Sequence, residues 1–293
     1  MISSDTLVTY PDGQTRGSSP VVHVERLDEG RWAVVLAETP AHPVDPTWPD
    51  QGPDRGALIA ESGRHELLDC RIGAWGDGEL HVGDSLPARL GTPGWNFVVV
   101  HVLADASAIA VGEQVAVEVD EEHRLELSRG HTACHLASLA LNSVLTEFWS
   151  KPVRTDSIGN PDFDQAAIQR SVIRPSGSTD VYRLGKSLRR SGFDAARLRA
   201  ELPVVSEEIG RRLAELVSSG SNVRIEREDA LLGTRRFWRC LLAGTDASLP
   251  CGGTHVAHTA GLGLMTVSLT LNAEGTTLTM ETDVAPVQPR LRL

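Results

Sequence analysis

Two short motifs far apart in the chain carry residue types that hold a transition metal: His131-Thr-Ala-Cys-His135 and Cys251-Gly-Gly-Thr-His255. In the first, the imidazoles stand four positions apart, so a helix continuing through Leu136, Leu139, Ala140 and Leu141 points both the same way. In the second, two glycines give the backbone freedom to turn sharply between a thiolate and a third imidazole. Zn2+ prefers these ligand types, and His131, His135, Cys251 and His255 together suffice for one tetrahedral ion. The spacing departs from the C-x2-C pairs of zinc fingers, which favours an enzyme site over a finger. An H-x3-H helix also occurs in metalloproteases, where a glutamate after the first histidine is the general base; Thr132 stands there and removes that base. For the H-x3-H pair alone, the plainer alternative is two core histidines satisfied by hydrogen bonds.

Those residues need elements to position them. From Thr6 to about Val119 the chain is rich in Gly and Pro, with short alternating or β-branched runs at 19–24, 31–37, 65–72, 79–82, 95–102 and 114–119. Such runs between turn residues predict an all-β unit, a small barrel or sandwich. Residues 47–56 and 156–164 read as loops. The charged stretch Asp120–Arg124 reads as a linker, with a domain boundary near residue 122. Beyond it the spacing predicts a helix over 128–148 and another over 205–218, with Ile209, Leu213 and Leu216 as its buried stripe. Strands are expected at 222–228 and 237–242, and a closing hairpin at 264–272 and 276–282. The fold class is α+β: an N-terminal small β-barrel-like domain, residues 1–122, followed by an α/β two-layer domain, residues 123–293.

The chain has 293 residues, 41% of them hydrophobic, enough to bury two cores. Its start lacks the charged and apolar regions of a signal peptide, and no run of about 18 apolar residues occurs, so a cytoplasmic location without a membrane partner is expected. Cys70, Cys134, Cys240 and Cys251 are widely spaced and read as free thiols in a reducing compartment. Cys134 points away from the face shared by the two histidines and is assigned to packing. His258, an odd offset from His255, stays outside the ligand set. The net charge of −11 excludes DNA and indiscriminate RNA binding. Between Lys151 and Cys240, however, 17 Lys and Arg face 12 Asp and Glu, while the remainder carries 11 against 27. The densest stretch is Tyr182-Arg183-Leu-Gly-Lys186-Ser-Leu-Arg189-Arg190, a candidate contact for phosphates.

The wording His131-Thr-Ala-Cys-His135-Leu and Pro250-Cys-Gly-Gly-Thr-His255-Val resembles the editing domain of alanyl-tRNA synthetase and its free-standing relatives, the AlaX proteins. Threonyl-tRNA synthetase shares the domain and the ligand pattern. Upstream, Trp48-Pro-Asp-Gln51-Gly-Pro-Asp54-Arg-Gly56 resembles the family's glycine-rich motif, which ends in a glutamine and then Asp-x-Gly; prolines stand here where the family has glycines. The resemblance implies a β-rich domain ahead of a zinc-binding editing domain of the second-additional-domain type. It implies Zn2+ on His131, His135, Cys251 and His255, with Gln51 and Thr132 at the catalytic site.

It also implies an activity: a zinc-dependent, trans-editing hydrolase that cleaves the aminoacyl ester at the acceptor end of mischarged tRNA, Ser-tRNA(Ala) first and Gly-tRNA(Ala) second. A pocket shaped for alanine rejects serine by only about a hundredfold, so a second sieve that hydrogen-bonds the serine hydroxyl through zinc, Thr132 or Gln51 has a clear use. Zinc can act by acidifying water or polarising the carbonyl, although four protein ligands already fill a tetrahedral site. Tyr182, Arg183, Lys186, Arg189 and Arg190 are the expected tRNA contacts. No aminoacylation domain is visible in the text. The alternatives are a non-catalytic zinc-containing module that binds tRNA or a partner, and a deacylase of another mischarged tRNA.

Overall fold

The structure, a computed structural model, describes residues 2–27, 30–83, 86–218 and 220–285. It is mixed α+β with mostly antiparallel sheets, in two units. The first comprises Met1–Leu125, Ile225–Phe237 and Cys251–Thr254. Its strands are β1 (Leu7–Val8), β2 (Arg16–Arg26), β3 (Trp32–Leu36), β4 (Glu38–Thr39), β5 (Gly56–Ala60), β6 (Gly63–Glu66), β7 (Asp69–Gly76), β8 (Glu79–Val82), β9 (Asn96–Leu103) and β10 (Gln114–Val119). Eight of them form one sheet in the order β6-β5-β10-β2-β3-β9-β7-β8, while β1 and β4 make a parallel ribbon. With β6 and β8 as free ends, the sheet is open, so the expected barrel does not close among the described residues. The single run expected at 65–72 divides into β6 and β7, because Leu67 and Leu68 turn to bond Gly56 and Val102.

The buried runs explain why the central strands sit where they do. Along β9, Phe97, Val99 and Leu103 enter one core with Val34 and Leu36, while Val98, Val100 and Val102 enter a second with Ala33 and Val35. Both faces of β3 and β9 are therefore covered, and these strands read as nearly continuous hydrophobic text. His101 is the polar exception. Its Nδ1 lies 3.0 Å from the Val34 carbonyl and its Nε2 2.9 Å from Thr39 Oγ1. The carbonyl can only accept, so Nδ1 carries the proton and Thr39 donates to Nε2. Burial lowers His101 to about 4.

A buried ion pair fixes the segment that carries Gln51. Arg124 Nε donates to Asp54 Oδ1 at 2.7 Å, and its Nη2 reaches Asp54 Oδ2 and the Pro40 carbonyl. The side chains are 6% and 0% exposed. Asp54 Oδ2 also accepts from the His42 amide at 2.5 Å, and the Asp54 amide donates back to the His42 carbonyl. Residues 42 to 54 are thus closed into a loop by one carboxylate.

Helix α1 (Glu121–Val144) contains the first motif. It starts seven residues earlier than the spacing predicts. Asp120 Oδ1 caps the His123 amide at 3.1 Å, and Glu121 and Glu122 sit in the first turn, where carboxylates oppose the helix dipole. The expected charged linker is the helix start, and a 3-10 turn, Thr146–Phe148, follows its end.

The second unit comprises Glu126–Arg224, Trp238–Pro250 and His255–Leu293. After α1 come α2 (Phe163–Ala167), β11 (Ile168–Arg174), β12 (Gly177–Arg183), α3 (Lys186–Arg190), α4 (Ala195–Ser218), β13 (Val223–Glu226), β14 (Phe237–Leu242), β15 (Thr245–Pro250), β16 (Met265–Leu271) and β17 (Thr277–Val284). An antiparallel sheet, β11-β12-β17-β16, carries α4 against β16, and β13-β14-β15 form a smaller sheet. The expected closing hairpin is present as β16 and β17. Asn272 Oδ1 accepts from the amides of Thr276 and Thr277, and Gly275 takes φ 64°. Helix α4 continues N-terminally through Pro203, well before the expected start at 205. No helix among the described residues is long and apolar enough to cross a membrane.

Asp54→Ala leaves the Arg124 guanidinium buried without its carboxylate, and the expected loss is about 3–5 kcal/mol in urea denaturation; a loss below 1 kcal/mol would remove the pair from the fold's supports. A pH effect follows from the histidines. Burial holds His101 near 4 and His42 near 3, below the ordinary value of about 6.5. Unfolded imidazoles take protons near pH 6.5 while the folded ones stay neutral, so stability is full above that pH and falls on acidification toward pH 4. Urea midpoints at pH 7 and pH 4.5 measure the drop, which is expected to be smaller in His101→Gln.

Candidate metal centre

Helix α1 is buried on every side from Gly130 to Asn142. Gly130 makes this possible: a Cβ there would lie 2.4 Å from the Gly177 carbonyl oxygen and 2.5 Å from that of Arg174. Both clashes are with backbone, so only glycine lets the helix meet this turn. One helical turn on, the rings of His131 and His135 are 4.8 Å apart, as the i,i+4 spacing requires. The His255 ring lies 4.4 Å from His131 and 4.8 Å from His135. Trp238, fully buried on β14, sets its ring edge-on to His135 at 5.1 Å.

Cys251, four residues before His255, completes the set. The ligand atoms of His131, His135, Cys251 and His255 all lie within 4.8 Å of one another, a cluster that could hold a metal ion. Neither Gly252 nor Gly253 takes a positive φ. Within the turn, Cys251 Sγ accepts from the Gly253 amide at 3.4 Å. Burial and the nearby Asp50 carboxylate push the Cys251 thiol up. A dication beside the sulfur offsets both effects and favours the thiolate.

The hydroxyl of Thr132 determines which nitrogen His255 presents. Thr132 Oγ1 lies 2.8 Å from the Ser128 carbonyl, to which it must donate its only proton. It therefore accepts from the Val256 amide at 3.2 Å and from His255 Nδ1 at 3.2 Å. His255 is then the Nδ1–H tautomer, which makes Nε2 the nitrogen able to act as a metal ligand. Thr132 has no hydrogen-bonding capacity left over for a substrate hydroxyl.

The donor set fits Zn2+ by type and number, three imidazoles and a thiolate. A second observation supports the fit: His135 Nδ1 is buried without a hydrogen-bond partner among the described residues. Burial and the neighbouring His131 hold His135 far below the ordinary imidazole range, so it stays neutral, the form that binds metal.

Gln51 is fully buried in the first unit and braces the second motif. Its Nε2 donates to Thr254 Oγ1 at 2.9 Å, and its Oε1 accepts from the Thr254 amide at 2.9 Å. Behind it stands His42 Nδ1, 3.5 Å from Gln51 Nε2. Burial and the cations Arg124 and Arg236 keep His42 neutral, at about 3. Asp50, whose Oδ1 accepts from the Gln51 amide, is raised by burial to about 6. Thr254, Asp54, Arg124 and Trp238 are supports that residue spacing missed. Thr254 was the most accessible of them, since it lies inside a motif already singled out.

The remaining candidates fall elsewhere. Cys134 faces the buried Asp180, with Sγ 3.4 Å from Oδ1, in a packing place as expected. His258 caps the turn Thr259–Gly261 through Nδ1 rather than joining the ligands. In the basic stretch, Arg183, Lys186 and Arg189 line one cleft and Arg190 does not. Tyr182, expected on an RNA-facing surface, is fully buried. It lies on the inward side of β12, where its ring packs on Phe163 and its hydroxyl donates to Asp164 at 3.0 Å. No face of the ring remains for a base.

This arrangement defines a mixed α+β protein with a His/His/Cys/His cluster suited to a metal ion. No family model matches the chain. It is similar to alanine–tRNA ligases. It is 30% identical to that of Frankia alni over 217 residues, which are 73% of this chain and 20% of the relative. It is 26% identical to that of Dehalococcoides mccartyi over 265 residues, 88% of this chain and 25% of the relative, and 28% identical to that of Chloroflexus aurantiacus over 227 residues. The chain spans about a fifth to a quarter of the length of these curated relatives. It belongs to the family of alanine–tRNA ligase relatives to which its two motifs pointed.

Thr132→Val removes the acceptor of two N–H groups while keeping the side chain's shape. It is expected to weaken zinc binding by about 10–100-fold in a chelator competition, with Thr132→Ser retaining affinity. Equal affinity in all three proteins would show that the hydroxyl does not orient His255.

Proposed function

We propose that this chain is a trans-editing hydrolase that removes the amino acid from mischarged tRNA, Ser-tRNA(Ala) foremost and Gly-tRNA(Ala) in addition. The observation that carries the reading is the cluster of His131, His135, Cys251 and His255 in a relative of alanine–tRNA ligases. These four residues would hold Zn2+, which when bound would supply a Lewis acid for the ester carbonyl or for attacking water. The other residues prepare the place. Thr132 fixes the His255 tautomer, and Gln51 holds Thr254, the neighbour of His255. The need for such an activity is physical: an alanine pocket has little purchase against serine, and a second pocket that uses the extra hydroxyl corrects the error. Thr132 is already fully hydrogen-bonded, so it is not the group that would receive that hydroxyl.

The completeness of the ligand set favours a second reading of the metal, as a structural ion in a non-catalytic module that binds tRNA or a partner. Four protein ligands are the number of a closed structural zinc site.

Deacylation of preformed Ser-tRNA(Ala), Gly-tRNA(Ala), Ala-tRNA(Ala) and Ser-tRNA(Thr) by the purified chain separates the readings. Serine is expected to leave tRNA(Ala) about a hundredfold faster than alanine, and the rate is expected to fall with zinc content in Cys251→Ala. Release of no amino acid from any substrate would end the hydrolase reading. Full activity after loss of zinc would assign the metal to structure.

A further inference from the structure

The cations of the second unit divide into two populations. On α4, Arg197 pairs with Glu201, and Arg211 and Arg212 pair with Glu208 and Glu215; on the sheets, Arg174 pairs with Asp283 and Arg224 with Asp246. Arg183, Lys186 and Arg189 are among the second unit's cations, with Arg154, Arg170 and Arg190, that have no carboxylate partner among the described residues, and the first three are exposed. They line one cleft of about 890 Å³ beside β12 and α3, and no acidic residue lines it with them. In a chain of net charge −11, an uncompensated positive cleft is a local reversal of sign.

The rest of the lining narrows the ligand. Gln169, Ser187 and Thr276 supply neutral donors and acceptors, and Ala167, Leu184 and Leu188 are buried apolar side chains at its floor. No aromatic ring lines the cleft. Base stacking, the usual means of gripping unpaired nucleotides, is therefore absent, while phosphate oxygens and hydroxyls are matched. The volume exceeds the needs of a single phosphate ion.

We infer that this cleft is a docking site for the sugar–phosphate backbone of RNA, holding it through Arg183, Lys186 and Arg189 without reading bases. The inference rests on the tRNA-deacylase reading for its partner and extends it to a binding surface. Recognition here is independent of sequence. The site supplies affinity and leaves the choice of amino acid to the metal centre.

The test uses the full chain with Arg183, Lys186 and Arg189 all replaced by Gln, and Arg211→Gln with Arg212→Gln as a control that removes paired charges. Binding of unacylated tRNA is followed by fluorescence anisotropy across salt concentrations, and deacylation kinetics are run on the same preparations. The cleft variant is expected to bind at least about tenfold more weakly at 0.1 M salt, with a log–log salt slope shallower by about 2, from three contacts at roughly 0.7 each. Its KM for aminoacyl-tRNA rises while kcat holds, and the control changes less than about twofold. Unaltered affinity and slope in a variant that melts like wild type overturns the proposal. So does displacement of tRNA by AMP or inorganic phosphate as effectively as by unrelated RNA oligonucleotides, which marks a small-anion site. If the wild type binds tRNA through the cleft yet releases no amino acid, the deacylase reading fails and the cleft stands; if the variant deacylates with unchanged KM, the cleft fails and the deacylase stands.

Discussion

A helix with no face toward water must satisfy each of its polar side chains from within the protein, and α1 is under that constraint from Gly130 to Asn142. Most of its polar groups meet it with partners in the protein. Thr132 bonds Ser128, Val256 and His255; Ser138 bonds the His135 carbonyl; Asn142 donates to Asp156 and Asp162 and accepts from the Asp164 amide. His135 Nδ1 is the exception, with no hydrogen-bond partner among the described residues. An unpaired buried nitrogen costs about 1–3 kcal/mol, a cost that a metal ligand bond removes. The same shortage that would count against the helix in a plain core is what a metal centre needs.

The first unit contributes differently. Its supports act on the backbone of loops rather than on ligands directly: Asp54 closes residues 42 to 54, and Gln51 ties that loop to Thr254. The prolines that flank Gln51 suit this arrangement. Proline fixes φ, and Asp54 accepts from the His42 amide, so a stiff chain and a single carboxylate hold what glycines with more freedom would leave to other contacts.

The clustering of the two motifs was the most legible part of the chain, because imidazoles at i and i+4 fall on one helix face whatever surrounds them, and His131 and His135 obey that rule. Strands with strict alternation, such as β10 and β17, were equally readable. The helix start was not. Asp120, Glu121 and Glu122 look like a solvated linker until the Asp120 carboxylate is seen capping His123. β11 and β12 had no counterpart among the expected strands, since Ser, Thr, Asp and Arg at their inner and outer positions hide the alternation. Tyr182 misled for a related reason. Its charged neighbours suggest a surface, but in a strand the residue beside an exposed arginine points the other way. Roles that depend on long-range hydrogen bonds, such as those of Gln51 and Thr132, have no periodicity and could be read only by resemblance.

The contact at Gly130 bears on how the site meets its ion. With the backbone of α1 pressed on the Arg174–Gly177 turn, a slip of one residue would drive the His131 side chain into carbonyl oxygens, so the helix has a single register. The imidazoles are consequently placed by packing, which would leave little chain entropy for the binding of an ion to remove. Affinity in such a site is set by bond strength rather than by the work of folding. In that respect the centre is the opposite of a zinc finger, whose ligands are gathered by the ion itself.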